Sequence, residues 1–202
     1  MSRHPGFVGR SLSTLWAVLA AVLMLLHAPP VESSRALAVL TEVGEISALK
    51  GSVAYHSGHL YAIERGHAYS HRAPQRPTPL PTAARVVASQ EVCSASTGKR
   101  EPAQLGWGIV ARASGSVGSV ARAEIVLRRG PAGPGLLPYA PLELQIRSEG
   151  EVIARMELEP VVFPCEIIID DFTPAPGNEV ALTWLSIAAG YSAGATIFEV
   201  SR

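Results

Sequence analysis

From Val117 onward, apolar side chains recur at every second position of the chain. Ala121, Ala123, Ile125 and Leu127 form one such series; Leu142, Leu144 and Ile146 a second; Val152, Ala154, Met156 and Leu158 a third. Arg122, Glu124, Glu143, Gln145, Arg147, Arg155 and Glu157 fall between them. A period of two puts one face on a core and the other in water, which is the signature of a half-buried antiparallel strand. The pattern predicts strands over VARAEIVLRR, PLELQIRS, EVIARMELEP, CEIIIDDF, EVALTWLS and ATIFEVSR, with RVVASQEVCSAS and GWGIVARAS as two more upstream. Eight strands over residues 83–202 suit an all-β fold, an antiparallel two-sheet sandwich or jelly roll. RSEGE reads as a hairpin connection with Gly150 at positive φ. The prolines of GPAGPGLLPYAP (residues 130–141) exclude a central strand and predict a long exposed loop.

The chain before residue 83 is patterned differently. Arg3 and Arg10 precede an uncharged apolar stretch, Leu12–Leu26, and HAPP breaks it. This describes a secretory signal over residues 1–28 with cleavage after Ala28. An uncleaved membrane anchor is the alternative, although a spanning helix needs roughly 20 apolar residues. Residues 29–82 read as a poorly ordered linker. Ala36–Ala54 can form two short strands around a turn at Gly44, and Pro74, Pro77, Pro79 and Pro81 predict a stiff spacer and a domain boundary.

Composition narrows the function classes. Lys plus Arg and Asp plus Glu both number 17, so no basic excess draws the chain to nucleic acid. Arg112, Arg122, Arg128, Arg129, Arg147 and Arg155 alternate with glutamates as a mixed solvated face. No motif calls for a cofactor. Four of six histidines, His56, His59, His67 and His71, fall among Tyr55, Tyr61 and Tyr69. Their H-x2-H and H-x3-H spacings admit Zn, Cu or Ni, against the plainer reading of a polar loop. Cys93 and Cys165 are the only cysteines. In an exported chain an even pair predicts a disulfide, here between two strands.

Other motifs carry less. Gly190-Tyr191-Ser192-Ala193-Gly194 fits the G-x-S-x-G nucleophile elbow, but a strand follows where a helix is needed and no His lies downstream. Adjacent Asp170 and Asp171 point to opposite faces of a strand. Turn capping before Pro174 is their expected role, with a share in Ca²⁺ ligation as the alternative. Trp107 and Trp184 are expected in the core, or together as a sugar-stacking platform.

Three resemblances add to this. Residues 85–202, through Asp170, Asp171, Pro174, Pro176, Gly177, Leu182 and Trp184, resemble jelly-roll modules of phage virion and bacterial surface proteins. Ala181 stands where those modules usually carry tyrosine. ALTW followed by GATIFEVSR resembles fibronectin-type modules, and VGEISALKGSV with Gly58 and Gly66 resembles the opening of FecR-type exported domains. The first two imply a β-sandwich without catalysis, binding a protein or glycan, and the virion relatives imply a homo-trimer. The expectation is thus an exported, non-enzymatic structural or recognition protein, touching membrane only through an uncleaved N-terminal segment. A metal or small-ligand carrier and a virion structural protein are the alternatives.

Overall fold

The alternating stretches of the C-terminal half form a meander. In the computed structural model, which describes residues 38–97, 107–131, 140–159, 162–187 and 190–201, β7 (Gly108–Val117), β8 (Val120–Arg129), β9 (Leu142–Ser148) and β10 (Glu151–Leu158) make one antiparallel sheet in the order β10-β9-β8-β7. Ile125 and Leu127 of β8 register with Ile146 and Leu144 of β9. All four are fully buried in one core, flanked along the strands by Glu124, Glu143 and Arg147, while Val126 and Gln145 between them are buried as well. The β9–β10 hairpin closes through Glu149 and Gly150, both at positive φ (53° and 84°), as the sequence predicts for Gly150.

The second sheet runs β1-β13-β12-β11. Its last three strands, β11 (Val162–Asp170), β12 (Glu179–Ser186) and β13 (Ser192–Ser201), are consecutive; the fourth, β1 (Val39–Leu49), comes from the far end of the chain. It pairs along β13 from Val39↔Ser201 to Leu49↔Ser192, with a bulge between Glu42 and Gly44. This sheet is a central layer. Val180 and Leu182 of β12 and Phe198 and Val200 of β13 enter the core shared with the β7–β10 sheet. Ala181, Leu185, Ala193, Ala195 and Ile197 enter a second core on the opposite face. Being covered on both sides, β12 is buried from Glu179 through Leu185. That is why EVALTWLS is a nearly continuous apolar run.

The second core is closed by a third sheet of order β5-β4-β3-β2-β6: β2 (Ser52–His56), β3 (His59–Glu64), β4 (His67–Ser70), β5 (Ala73–Pro77) and β6 (Arg85–Ala88). Val53, Leu60, Ala62 and Val87 from it meet Ile168, Ala181 and Ile197 of the central layer. The described residues therefore form an all-β, sandwich-like arrangement of three antiparallel sheets instead of two.

Three expectations change accordingly. The stretch read as a linker, residues 29–82, holds β1–β5 over residues 39–77. β2–β4 are short and joined by the tight turns Ser57-Gly58 and Arg65-Gly66, where a non-glycine shares the positive φ, so the familiar Asn-Gly signal is missing. The Pro-rich stretch is no boundary, because chain on both sides of it fills one core. Pro74 and Pro77 sit in β5, which is exposed at the sheet's edge, where a strand tolerates a missing N–H. Finally, RVVASQEVCSAS leaves the strand after Ala88 and turns into helix α1 (Gln90–Thr97). Ser89 caps it, its Oγ accepting from Val92 N (3.1 Å) and its carbonyl from Cys93 N (3.0 Å). The signal segment 1–28 and residues 132–139 of the Pro/Gly loop lie outside the described residues.

Candidate functional site

Tyr55, His59, His71 and Asp170 meet where the third sheet touches the end of β11. The β2–β3 turn is tight: His56 faces His59, and Ser57 and Gly58 make the corner at φ 44° and 71°. Gly58 N–H donates to Asp170 Oδ2 (2.9 Å), and a Cβ at Gly58 would stand 2.4 Å from the Asp171 carbonyl oxygen. Only glycine fits there. The Tyr55 hydroxyl donates to the same Oδ2, and Asp171 N–H donates to Asp170 Oδ1 (2.8 Å). Burial alone would raise the Asp170 pKa. Its three donors, Tyr55, Asp171 N–H and Gly58 N–H, together with nearby His59, outweigh burial and hold it below the usual carboxylate range. Tyr55 moves the other way, raised by burial and by its bond to the Asp170 carboxylate.

The β4–β5 turn supplies the second half of the joint. His71 Nε2 lies 2.9 Å from the Phe172 carbonyl oxygen, which only accepts, so Nε2 carries the proton. Nδ1 then accepts from Leu60 N–H (3.1 Å). Arg72 adds Nε to the Phe172 oxygen (3.1 Å) and a terminal nitrogen to the Asp171 oxygen (3.0 Å). His59 packs against His71, ring centroids 5.9 Å apart. Burial, then the charges of Arg72, His71 and His56, lower its pKa.

Further fasteners run along the same seam. Arg85 forks onto Glu166 with two bonds of 2.7 Å and lies 5.2 Å from the Tyr55 ring centroid. The fully buried Thr183 hydroxyl contacts Val87 O (3.1 Å), joining β12 to β6. Cys93 and Cys165 are disulfide-bonded with Cα atoms 4.7 Å apart. The bond ties helix α1 to β11, so the expectation of two strands is corrected at Cys93.

The four histidines do not converge. His71 has both ring nitrogens committed, and exposed His67 opens β4 opposite Glu64. Among the described residues no group of three or more His, Cys, Asp or Glu side chains could hold a metal. Asp170 and Asp171 leave the capping of the 173–178 turn to Glu179, which sequence reasoning overlooked. Its buried carboxylate accepts from Phe172 N (2.8 Å), Thr173 N (3.2 Å) and Thr173 Oγ1 (2.8 Å). The signal was one acid opening an otherwise apolar strand. Trp184 is buried and donates Nε1–H to Thr196 (3.0 Å), whereas Trp107 is 39% exposed beside Arg128, so the two make no shared platform. A Cβ at Gly194 would stand 2.3 Å from the Trp184 indole. That packing explains the second glycine of G-x-S-x-G, and Ser192 opens β13.

Two clefts flank these contacts. One of about 470 Å³ lies between β1 and the β3–β4 face. The other, about 240 Å³ and largely apolar, lies beside the disulfide between Phe163, Leu185, Ile187 and Tyr191.

The fold and this seam define a class: a disulfide-bonded all-β module of three sheets. No protein-family model matches the chain, and neither the curated proteins nor the solved structures contain a match to it.

Proposed function

We propose that this is an exported module that works by binding or by building a structure, not by catalysis. The observation carrying this reading is the fate of its polar cluster. Tyr55, Asp170, His71, Arg72, Arg85 and Glu166 are engaged with one another or with backbone, fastening two layers together. A catalytic acid or base needs a free lone pair or proton aimed at a substrate. The Cys93–Cys165 bond fits an oxidising compartment. Among the described residues no helix is long and apolar enough to cross a membrane. The likeness of residues 85–202 to virion and surface jelly-roll modules belongs to the same reading, and a trimer on sizing supports its virion branch.

The test is recovery of the protein from its native host, with N-terminal sequencing and non-reduced peptide mapping. The expected product lacks about 28 residues, as a cleaved signal would leave it, and carries Cys93 joined to Cys165. Cytosolic protein with an intact Met1 and free thiols would overturn export.

A further inference from the structure

The chain passes from the third sheet into helix α1 at Ser89, and the two sides of that residue are held differently. Before it, Val87 and Ala88 are fully buried, β6 pairs with β2, and the Thr183 hydroxyl reaches the Val87 carbonyl (3.1 Å). After it, Gln90, Glu91 and Ser94 are exposed and Val92 is half-buried. Of the α1 side chains described, Cys93 alone enters the second core. At eight residues α1 is also too short to persist by itself, because so few backbone bonds do not offset the cost of nucleation. Its covalent fastening is the disulfide to Cys165 of β11.

What α1 stands over is apolar. The helix forms one wall of the cleft of about 240 Å³, and Phe163, Leu185, Ile187 and Tyr191 form the other. Ile187 is already 50% exposed, while Leu185 is buried. Cys93 lines the cleft and Cys165 is half-buried, so the bond lies beside space that a thiol can enter, and access is what thiol exchange requires. We propose that the Cys93–Cys165 bond is a redox latch: a dithiol reductant opens it, α1 leaves β11, and the apolar cleft is uncovered. One reductant thiolate attacks Cys165 Sγ, the S–S bond breaks, and Cys93 leaves as a thiolate. The second reductant thiol then displaces Cys165 from the mixed disulfide. Two electrons pass to the protein and the reductant ends as its own disulfide. The two protons its thiols lose are balanced by those that Cys93 and Cys165 gain. The latch goes beyond the reading as a binding or structural module, since it sets when an apolar surface is presented.

The experiment compares backbone hydrogen exchange of the purified protein, by mass spectrometry, when oxidised and after dithiothreitol without denaturant. Loss of protection is expected in peptides covering α1, with β12 and β13 as protected as before, and reoxidation should restore it. An apolar fluorescent dye should gain a binding site on reduction, and Ile187→Asp should abolish that gain. The double variant Cys93→Ser, Cys165→Ser should exchange like the reduced parent, with or without reductant. If it does not fold, the reversal by reoxidation in the parent decides instead. A bond that yields to dithiothreitol only in denaturant overturns the latch, as does unchanged protection of α1. Protection lost equally across β12 and β13 would mark a staple of the whole fold and overturns it too. Dye uptake retained in Ile187→Asp overturns the cleft as the surface uncovered. None of these outcomes depends on removal of residues 1–28, so the export reading is tested separately.

Discussion

Asp170 shows how a residue legible as polar acquires its role from chain 112 and 115 residues away, at Gly58 and Tyr55. Adjacent aspartates before a proline turn read as caps, and nothing local announces Tyr55 as a partner. The environment makes a pH prediction with a definite sign. Asp170 is held below its ordinary value of 3.8, so its contribution is present above that pH and lost as pH falls through the depressed value. His59 is likewise lowered from 6.5, so its share is lost earlier in the same acid direction. Urea midpoints should therefore decline in two stages on acidification, with His59→Gln removing the first. A midpoint that holds flat below the ordinary imidazole range would refute this. Tyr55→Phe deletes one hydrogen bond to a carboxylate and should cost about 1–2 kcal/mol, read from the same curves.

At the level of elements, the strands from β6 to β13 were legible because each needed only a period of two or an unbroken apolar run. Helix α1 was not, since an eight-residue helix offers little pattern and its start depends on the Ser89 cap. The disulfide was predictable as a pair, while its attachment to a helix was not. It closes a separation of 72 residues, and on chain-entropy grounds such a loop contributes about 4 kcal/mol. Cys93→Ser should lower unfolding stability by about 2–5 kcal/mol, measured by denaturant unfolding with and without reductant. Reductant should leave the variant unchanged. A parent protein equally indifferent to reductant would show that the bond contributes nothing to the fold.

The whole molecule is where expectation and structure part most widely. A sandwich complete within residues 83–202 would fold without the chain before it. Instead β1 supplies an edge of the central sheet, and β2 and β3, beside β6, cover its second face. The fragment 83–202 is thus expected to expose Ile168, Ala181, Leu185, Ala193, Ala195 and Ile197, to bind a hydrophobic dye and to aggregate. A cooperative melt of that fragment as a soluble species would restore the boundary at the prolines. By itself the sequence determined the strand class, most strand positions in the C-terminal half, the glycine turn at residue 150 and the cysteine pair, because each follows from local periodicity, backbone sterics or simple parity. Only the tertiary structure decided that Val39–Leu49 closes the central sheet, that β12 lies between two cores, and that the His/Tyr cluster is a joint. Pairing across more than a hundred residues depends on which surfaces remain uncovered after local structure forms, and no short stretch of sequence carries that information.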